Sequence, residues 1–187
     1  MKTFKTILAF TLLFTGLQAF AQDMMKEKTV MVGGAAMYPS RDIIDNAVNS
    51  KDHTTLVAAV KAAGLVETLK TKGPFTVFAP TNAAFSKLPA GTVETLLKAE
   101  NKATLTKVLT YHVVAGNYDS KAILDLISKG NGKAELTTVS GGKIWLMKKG
   151  KKIMLKDEKG NMADITISDV YQSNGVIHVI DTVVMPG

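Results

Sequence analysis

Three histidines, a run of lysines and no cysteine bound the chemistry open to this 187-residue chain. His112 and His178 sit inside apolar, β-type runs, Tyr111-His112-Val113-Val114 and Ile177-His178-Val179. A metal site there would need further His or carboxylate ligands. The third imidazole, His53, lies in a helix opening among Lys51, Asp52 and Thr54, where a solvated surface position is expected. A buried neutral imidazole bonded to backbone groups accounts for both apolar histidines. The absence of cysteine removes thiol nucleophiles, cysteine zinc sites and iron–sulfur clusters. Met24, Met25, Met31 and Met37 are irregularly spaced and have no His or Cys among them, so they read as packing or tail residues rather than soft-metal ligands. No His-Glu-x-x-His or Gly-x-Ser-x-Gly pattern occurs. Gly130-Asn131-Gly132-Lys133 lacks the frame of a phosphate loop and reads as a plain turn. No catalytic residue, metal ligand or cofactor is therefore assigned.

Lysine offers the plainest binding chemistry. Lys143, Lys148, Lys149, Lys151, Lys152 and Lys156 cluster around Gly150. Lys148, Lys149, Lys151 and Lys152, nearest the turn, are candidate polyanion contacts that would raise local anion concentration and weaken with salt. The same lysines also suit a strand edge protected against pairing. The formal charge of +7 favours anionic polymers, polysaccharides or lipid surfaces as partners. Nucleic acid is not expected, because aromatics are few and no nucleic-acid motif occurs. Trp145, the only tryptophan, belongs to a strand and reads as core or a partly covered sheet face.

The element that must position these groups is Gly73–Pro89. Phe75, Val77 and Ala79 alternate with Thr76 and Phe78, which predicts a central strand. Pro80 ends its ladder, and Thr81 or Asn82 caps a following helix whose apolar side is Ala83, Ala84, Phe85 and Leu88.

Residues 1–21 read as a signal peptide. Lys2 and Lys5 precede the apolar Ile7–Leu17, and Ala19-Phe20-Ala21 fits a cleavage site, placing the mature start at Gln22. No membrane-spanning segment is expected in the mature chain, which is read as extracellular or periplasmic. Residues 22–36 are expected as a flexible terminal segment passing into a short extended piece, with one domain over 37–187.

Within that domain, helices are expected over 42–48, after a Ser50 or Asp52 cap with Leu56, Val57, Ala59, Val60 and Ala63 inward, and over 65–69. Gly64 is a natural stop for the second. Further helices are read over 92–97, after Asn101, and after Ser120. From Ala134 the pattern turns to strands at 136–139, 143–147, 152–155, 163–167 and 176–180. A helix-rich first half and a strand-rich second half make an α+β chain.

Two segments then stand out together. Gly73–Leu88 (GPFTVFAPTNAAFSKL) and Ser173–Pro186 (SNGVIHVIDTVVMP) closely resemble the two signature motifs of the fasciclin domain, and Tyr111-His112 matches the Tyr-His segment between them. The resemblance runs from about Tyr38 to Pro186. It implies a wedge-shaped β-sandwich with flanking helices. It also implies a secreted, non-enzymatic adhesion module contacting a cell-surface or matrix protein or polysaccharide. In that family's matrix members, the Tyr-His segment and an Asp-aliphatic pair before the second motif are associated with adhesion. The matching positions here are Tyr111, His112, Asp169 and Val170. Val170 is smaller than the usual Ile, and Ser168 stands where Pro or Lys is common. The resemblance also marks Thr81, Asn82, Asn174, Gly175 and His178 as structural motif residues. Polyanion binding through 143–156 is the alternative, and a periplasmic enzyme using His112 or His178 ranks below both.

Overall fold

The structure is a computed structural model that describes residues 28–187. The expected signal peptide, Gln22, Met24 and Met25 lie outside the described residues. Strands β1 (Val30–Val32) and β2 (Ala35–Met37) lead into helices α1 (Ile43–Ala47), α2 (Thr54–Ala63) and α3 (Val66–Lys70). Strand β3 (Phe75–Pro80) is followed by helices α4 (Asn82–Phe85), α5 (Thr92–Leu96) and α6 (Lys102–Tyr111), then strand β4 (Val113–Ala115) and helix α7 (Ser120–Lys129). Strands β5 (Lys133–Thr137), β6 (Lys143–Lys149), β7 (Lys152–Lys156), β8 (Met162–Gln172) and β9 (Gly175–Ile180) complete the chain. The class is α+β, with helices gathered in the first half and strands in the second.

Seven strands form one sheet in the order β4-β3-β9-β8-β7-β6-β5. β3 is internal, antiparallel to β4 and parallel to β9, so the two signature segments lie side by side. The sheet bends at β8, whose register against β9 shifts twice between Ile165 and Val170. Bulges of this kind add a residue to one strand and turn it. The bend brings the two halves face to face: Phe78, Val114 and Ile180 share a core with Leu136, Ile144, Leu146 and Leu155. Beyond β5, Val139 donates to the Val113 carbonyl at 2.8 Å, which nearly closes the sheet. Helix α7 lays Ile123 and Ile127 into the same core. A second core lies on the other side of β3, where Val77 and Ala79 meet Ile43, Val60, Leu105 and Leu109 from the helices. Full burial of such aliphatic side chains contributes about 1.5–3 kcal/mol each.

The motif residues join these layers. Thr81 caps α4 by accepting from the Ala84 N–H at 3.2 Å. Asn82 instead caps another helix: its Oδ1 accepts from the Thr55 N–H at 3.0 Å, and its Nδ2 donates to the Lys51 carbonyl at 2.9 Å. No side chain of α2's own segment caps it, so the expected Ser50 or Asp52 cap is replaced from across the fold. Asn174 adds a distant partner to α1, which Asp42 already caps from its own segment: it accepts from the Ile43 N–H at 3.0 Å and donates to the Leu69 carbonyl at 2.7 Å. Gly175 packs directly on the Phe75 backbone, and a Cβ there would collide with the Phe75 carbonyl. Only glycine allows the two signature segments this close approach.

Several local expectations are corrected. Tyr111 is the last residue of α6 and His112 its C-cap, so the strand starts at Val113 rather than Tyr111. Asp119, not Ser120, caps α7, accepting from the Ala122 N–H at 2.8 Å. The strand expected at 163–167 continues through the bulges to Gln172. His53 is buried, at 3% exposure, not solvated. Its Nδ1 pairs with the Ser50 hydroxyl at 2.8 Å, and the β1–β2 hairpin ties down this turn through a Lys51 N–H bond to the Gly33 carbonyl. Val32 and Met37 of that hairpin are also buried.

Candidate functional site

Residue 169 sits at the bend of β8 with φ of +60°, a left-handed conformation that Asp and Asn tolerate better than other side chains. The bend points the Asp169 carboxylate at the start of α7. Oδ1 accepts from the Ser120 N–H at 2.6 Å, and Oδ2 accepts from the Ser120 hydroxyl. The Asp169 N–H faces His178 Nδ1 at 3.4 Å, and His178 Nε2–H donates to the Tyr118 carbonyl at 2.8 Å. The Tyr118 N–H is held by the Thr76 hydroxyl at 2.9 Å, which donates to the Gly116 carbonyl at 2.8 Å. Tyr171 donates its hydroxyl to Asp119 Oδ2 at 3.2 Å. One network thus runs from β3 through β9 and β8 to the α7 N-terminus.

His178 is fully buried, and its ring stacks on Phe78 with centroids 5.7 Å apart. Burial pushes its pKa down, favouring the neutral ring that the network requires. His112 is similarly employed. Its Nδ1–H donates to the Val108 carbonyl at 2.8 Å, and its Nε2 accepts from the Val184 N–H at 3.2 Å. Burial lowers its pKa to about 4. Tyr111 is fully buried; its hydroxyl donates to the Lys143 carbonyl at 2.6 Å and accepts from the Glu158 N–H at 3.1 Å. Burial raises its pKa to about 12. Val170 is 1% exposed and packs in the helix-side core. Of the four residues matched to family adhesion positions, three are therefore buried, and Asp169 is half-buried with both carboxylate oxygens bound to Ser120.

What reaches the surface beside them is different. Tyr171 is 43% exposed, and Ser168 is exposed at the bend. Burial of its body and the nearby Asp119 carboxylate push the Tyr171 pKa up. The sequence reading placed Ser120 as the cap of this helix and passed over Asp119 and Tyr171. The Asp-Ser pair before a helical pattern was the available signal for Asp119.

The lysine hairpin adjoins the bend of β8 and the first turn of α7. Lys148, Lys149, Lys151 and Lys152 are all exposed. Lys152 pairs with Asp164 at 3.2 Å and Lys143 with Glu135 at 2.6 Å, whereas Lys148, Lys149 and Lys151 take part in no ion pair among the described residues. Trp145 is a partly covered sheet-face residue. Its Nε1–H donates to Glu135 at 2.8 Å, and the Lys133 ammonium lies 5.1 Å from its ring centroid. Among the described residues no helix is long and apolar enough to cross a membrane, and no group of three or more His, Cys, Asp or Glu is placed to hold a metal.

Comparison with known proteins places this geometry among relatives. A model of the fasciclin domain matches residues 51–186. Protein sll1483 of Synechocystis sp. is 44% identical over 192 residues, covering 100% of this chain and 99% of that protein. Immunogenic protein MPB70 of Mycobacterium bovis is 39% identical over 145 residues, 75% of this chain and 66% of that protein. Transforming growth factor-beta-induced protein ig-h3 of Sus scrofa is 35% identical over 149 residues, 79% of this chain and 20% of that protein. The FAS1 domain pair of the insect cell adhesion molecule fasciclin I superposes with a TM-score of 0.67 at 17% identity, over 84% of this chain and 57% of that one. That likeness concerns the fold alone.

Proposed function

The chain belongs to the fasciclin domain family, and from that premise we propose that it is an exported, non-enzymatic adhesion module that contacts a cell-surface or matrix component. The observation that carries this reading is Tyr171, an exposed aromatic held by Asp119 on a face whose backbone is fixed by Asp169. Aromatic side chains anchored on a rigid support are favoured contacts in protein recognition, because little entropy is lost when they are covered. Tyr111, His112 and Val170 act in this reading through position: they lock the sheet that presents the face. The imidazoles of His112 and His178 are committed to buried backbone bonds, which favours a binding role over acid–base chemistry. A surface coated with the purified protein should retain bacterial cells at both low and high salt. Retention no greater than on an albumin-coated surface would overturn the reading.

The second reading is a polyanion binder acting through the hairpin at 143–156. Its support is that Lys148, Lys149 and Lys151 project without ion-pair partners among the described residues. Such binding would fall steeply between low and high salt, because exposed charges are screened within about 8–10 Å at physiological ionic strength.

A further inference from the structure

Between the first turn of α7, the β7 end of the lysine hairpin and the bend of β8 lies an open cleft of about 490 Å³. That volume falls within the usual range of small-molecule sites, about 300–1,000 Å³. Its lining divides into three chemistries. Lys151 and Lys152 supply cationic side chains, Thr166 and Ser168 supply exposed hydroxyls, and half-buried Leu124, beside the largely buried Ile153, supplies apolar surface. Asp164 pairs with Lys152 at 3.2 Å and offsets part of its charge. Lys151 takes part in no ion pair among the described residues, and the Asp169 carboxylate at the cleft's edge is taken up by Ser120 and Ser168. One lysine without an ion pair suits a singly charged carboxylate better than a doubly charged phosphate, which calls for more donors. The two hydroxyls already donate, Thr166 to the Val179 carbonyl at 3.2 Å and Ser168 towards Asp169 at 3.5 Å. Their remaining lone pairs accept, which matches the hydroxyl donors of a sugar. The apolar residues suit the C–H face of a pyranose ring. Because the cleft is open, a polymer can pass through it.

We propose that this cleft binds uronic-acid residues of an acidic polysaccharide, with the carboxylate on Lys151 and Lys152 and the ring over Leu124 and Ile153. The inference rests on the second reading, polyanion binding through the hairpin, and gives it a ligand class. It also separates the two lysines of the cleft from Lys148 and Lys149, which carry the same charge outside it.

The test is calorimetric titration of the protein with trigalacturonate, its methyl ester and dextran sulfate. Trigalacturonate should bind, and the uncharged ester should bind at least tenfold more weakly. Lys151→Gln/Lys152→Gln should weaken binding at least tenfold, and Lys148→Gln/Lys149→Gln less than twofold. Amide shifts on adding trigalacturonate to the unaltered protein should centre on Leu124, Thr166 and Ser168, a readout independent of variant folding. No binding, equal losses in the two lysine pairs, or shifts confined to the hairpin tip would overturn the proposal. So would preferential binding of dextran sulfate that depends on all four lysines. Cell retention that persists while trigalacturonate fails to bind would remove this inference and leave the adhesion reading standing.

Discussion

Asp169 and Ser120, 49 positions apart, are joined twice: the carboxylate of one accepts both the backbone N–H, at 2.6 Å, and the hydroxyl of the other. The bend of β8 is thereby tied to the first turn of α7, between the exposed Tyr171 and the lysine-lined cleft. Asp169→Ala removes both bonds and puts alanine at φ of +60°. The expected loss of stability is about 2–3 kcal/mol. Asp169→Asn, which tolerates this backbone, should lose less. Urea unfolding of the two variants beside the parent checks the order; equal losses would contradict it.

Asn174 supports a second join. Its side chain serves the Ile43 N–H and the Leu69 and Thr71 carbonyls, linking α1 and the end of α3 to the turn before β9. Asn174→Ala strands these backbone groups and should cost about 2–4 kcal/mol. Asn174→Asp keeps the acceptor but not the donor, and should fall between. Thermal melting of both variants measures this; an alanine variant as stable as the parent would refute the role.

Histidine burial makes stability depend on pH. His112 is held neutral, with its pKa lowered from an unfolded value of 6.5 to about 4. Its contribution is fully present above pH 6.5 and is lost as pH falls through the window down to about 4, because the unfolded chain then binds the proton more readily. The slope is at most about 1.4 kcal/mol per pH unit for this site. The downward shifts of His178 and His53 act with the same sign. Urea midpoints measured from pH 7 to 4.5 should fall, and His112→Gln should flatten the slope while lowering stability at pH 7. A parent midpoint unchanged over that range would contradict the assignment.

The sequence showed its alternations and its caps unevenly. The strand at Phe75–Pro80, the Gly64 stop, now seen at φ of +73°, and the turn at Gly130–Lys133 follow from local rules. His53 escaped because its burial depends on a hairpin that packs from Val30–Met37, which no local pattern around His53 encodes. Asn82 and Asn174 were recognisable as motif residues, but the helices they cap are distant in sequence. Asp169 carried a family association with adhesion. Its left-handed backbone and its bonds to Ser120 depend on where β8 bends, which pairing with β9 decides. Tyr171 fell outside the strands read from the sequence, and its outward face became visible only because β8 continues past the bend to Gln172.

The most direct measurement is cell retention on surfaces coated with the parent protein, Tyr171→Ala, Asp169→Ala and the variant with Lys148, Lys149, Lys151 and Lys152 all changed to Gln, at low and high salt, with stability measured in parallel. Tyr171→Ala should lose most of the retention while its stability stays within about 1 kcal/mol of the parent. Asp169→Ala should lose retention and stability together, and the parent's retention should survive high salt. Undiminished retention by Tyr171→Ala, with loss confined to the lysine variant and to high salt, would contradict the account and make the protein an electrostatic binder.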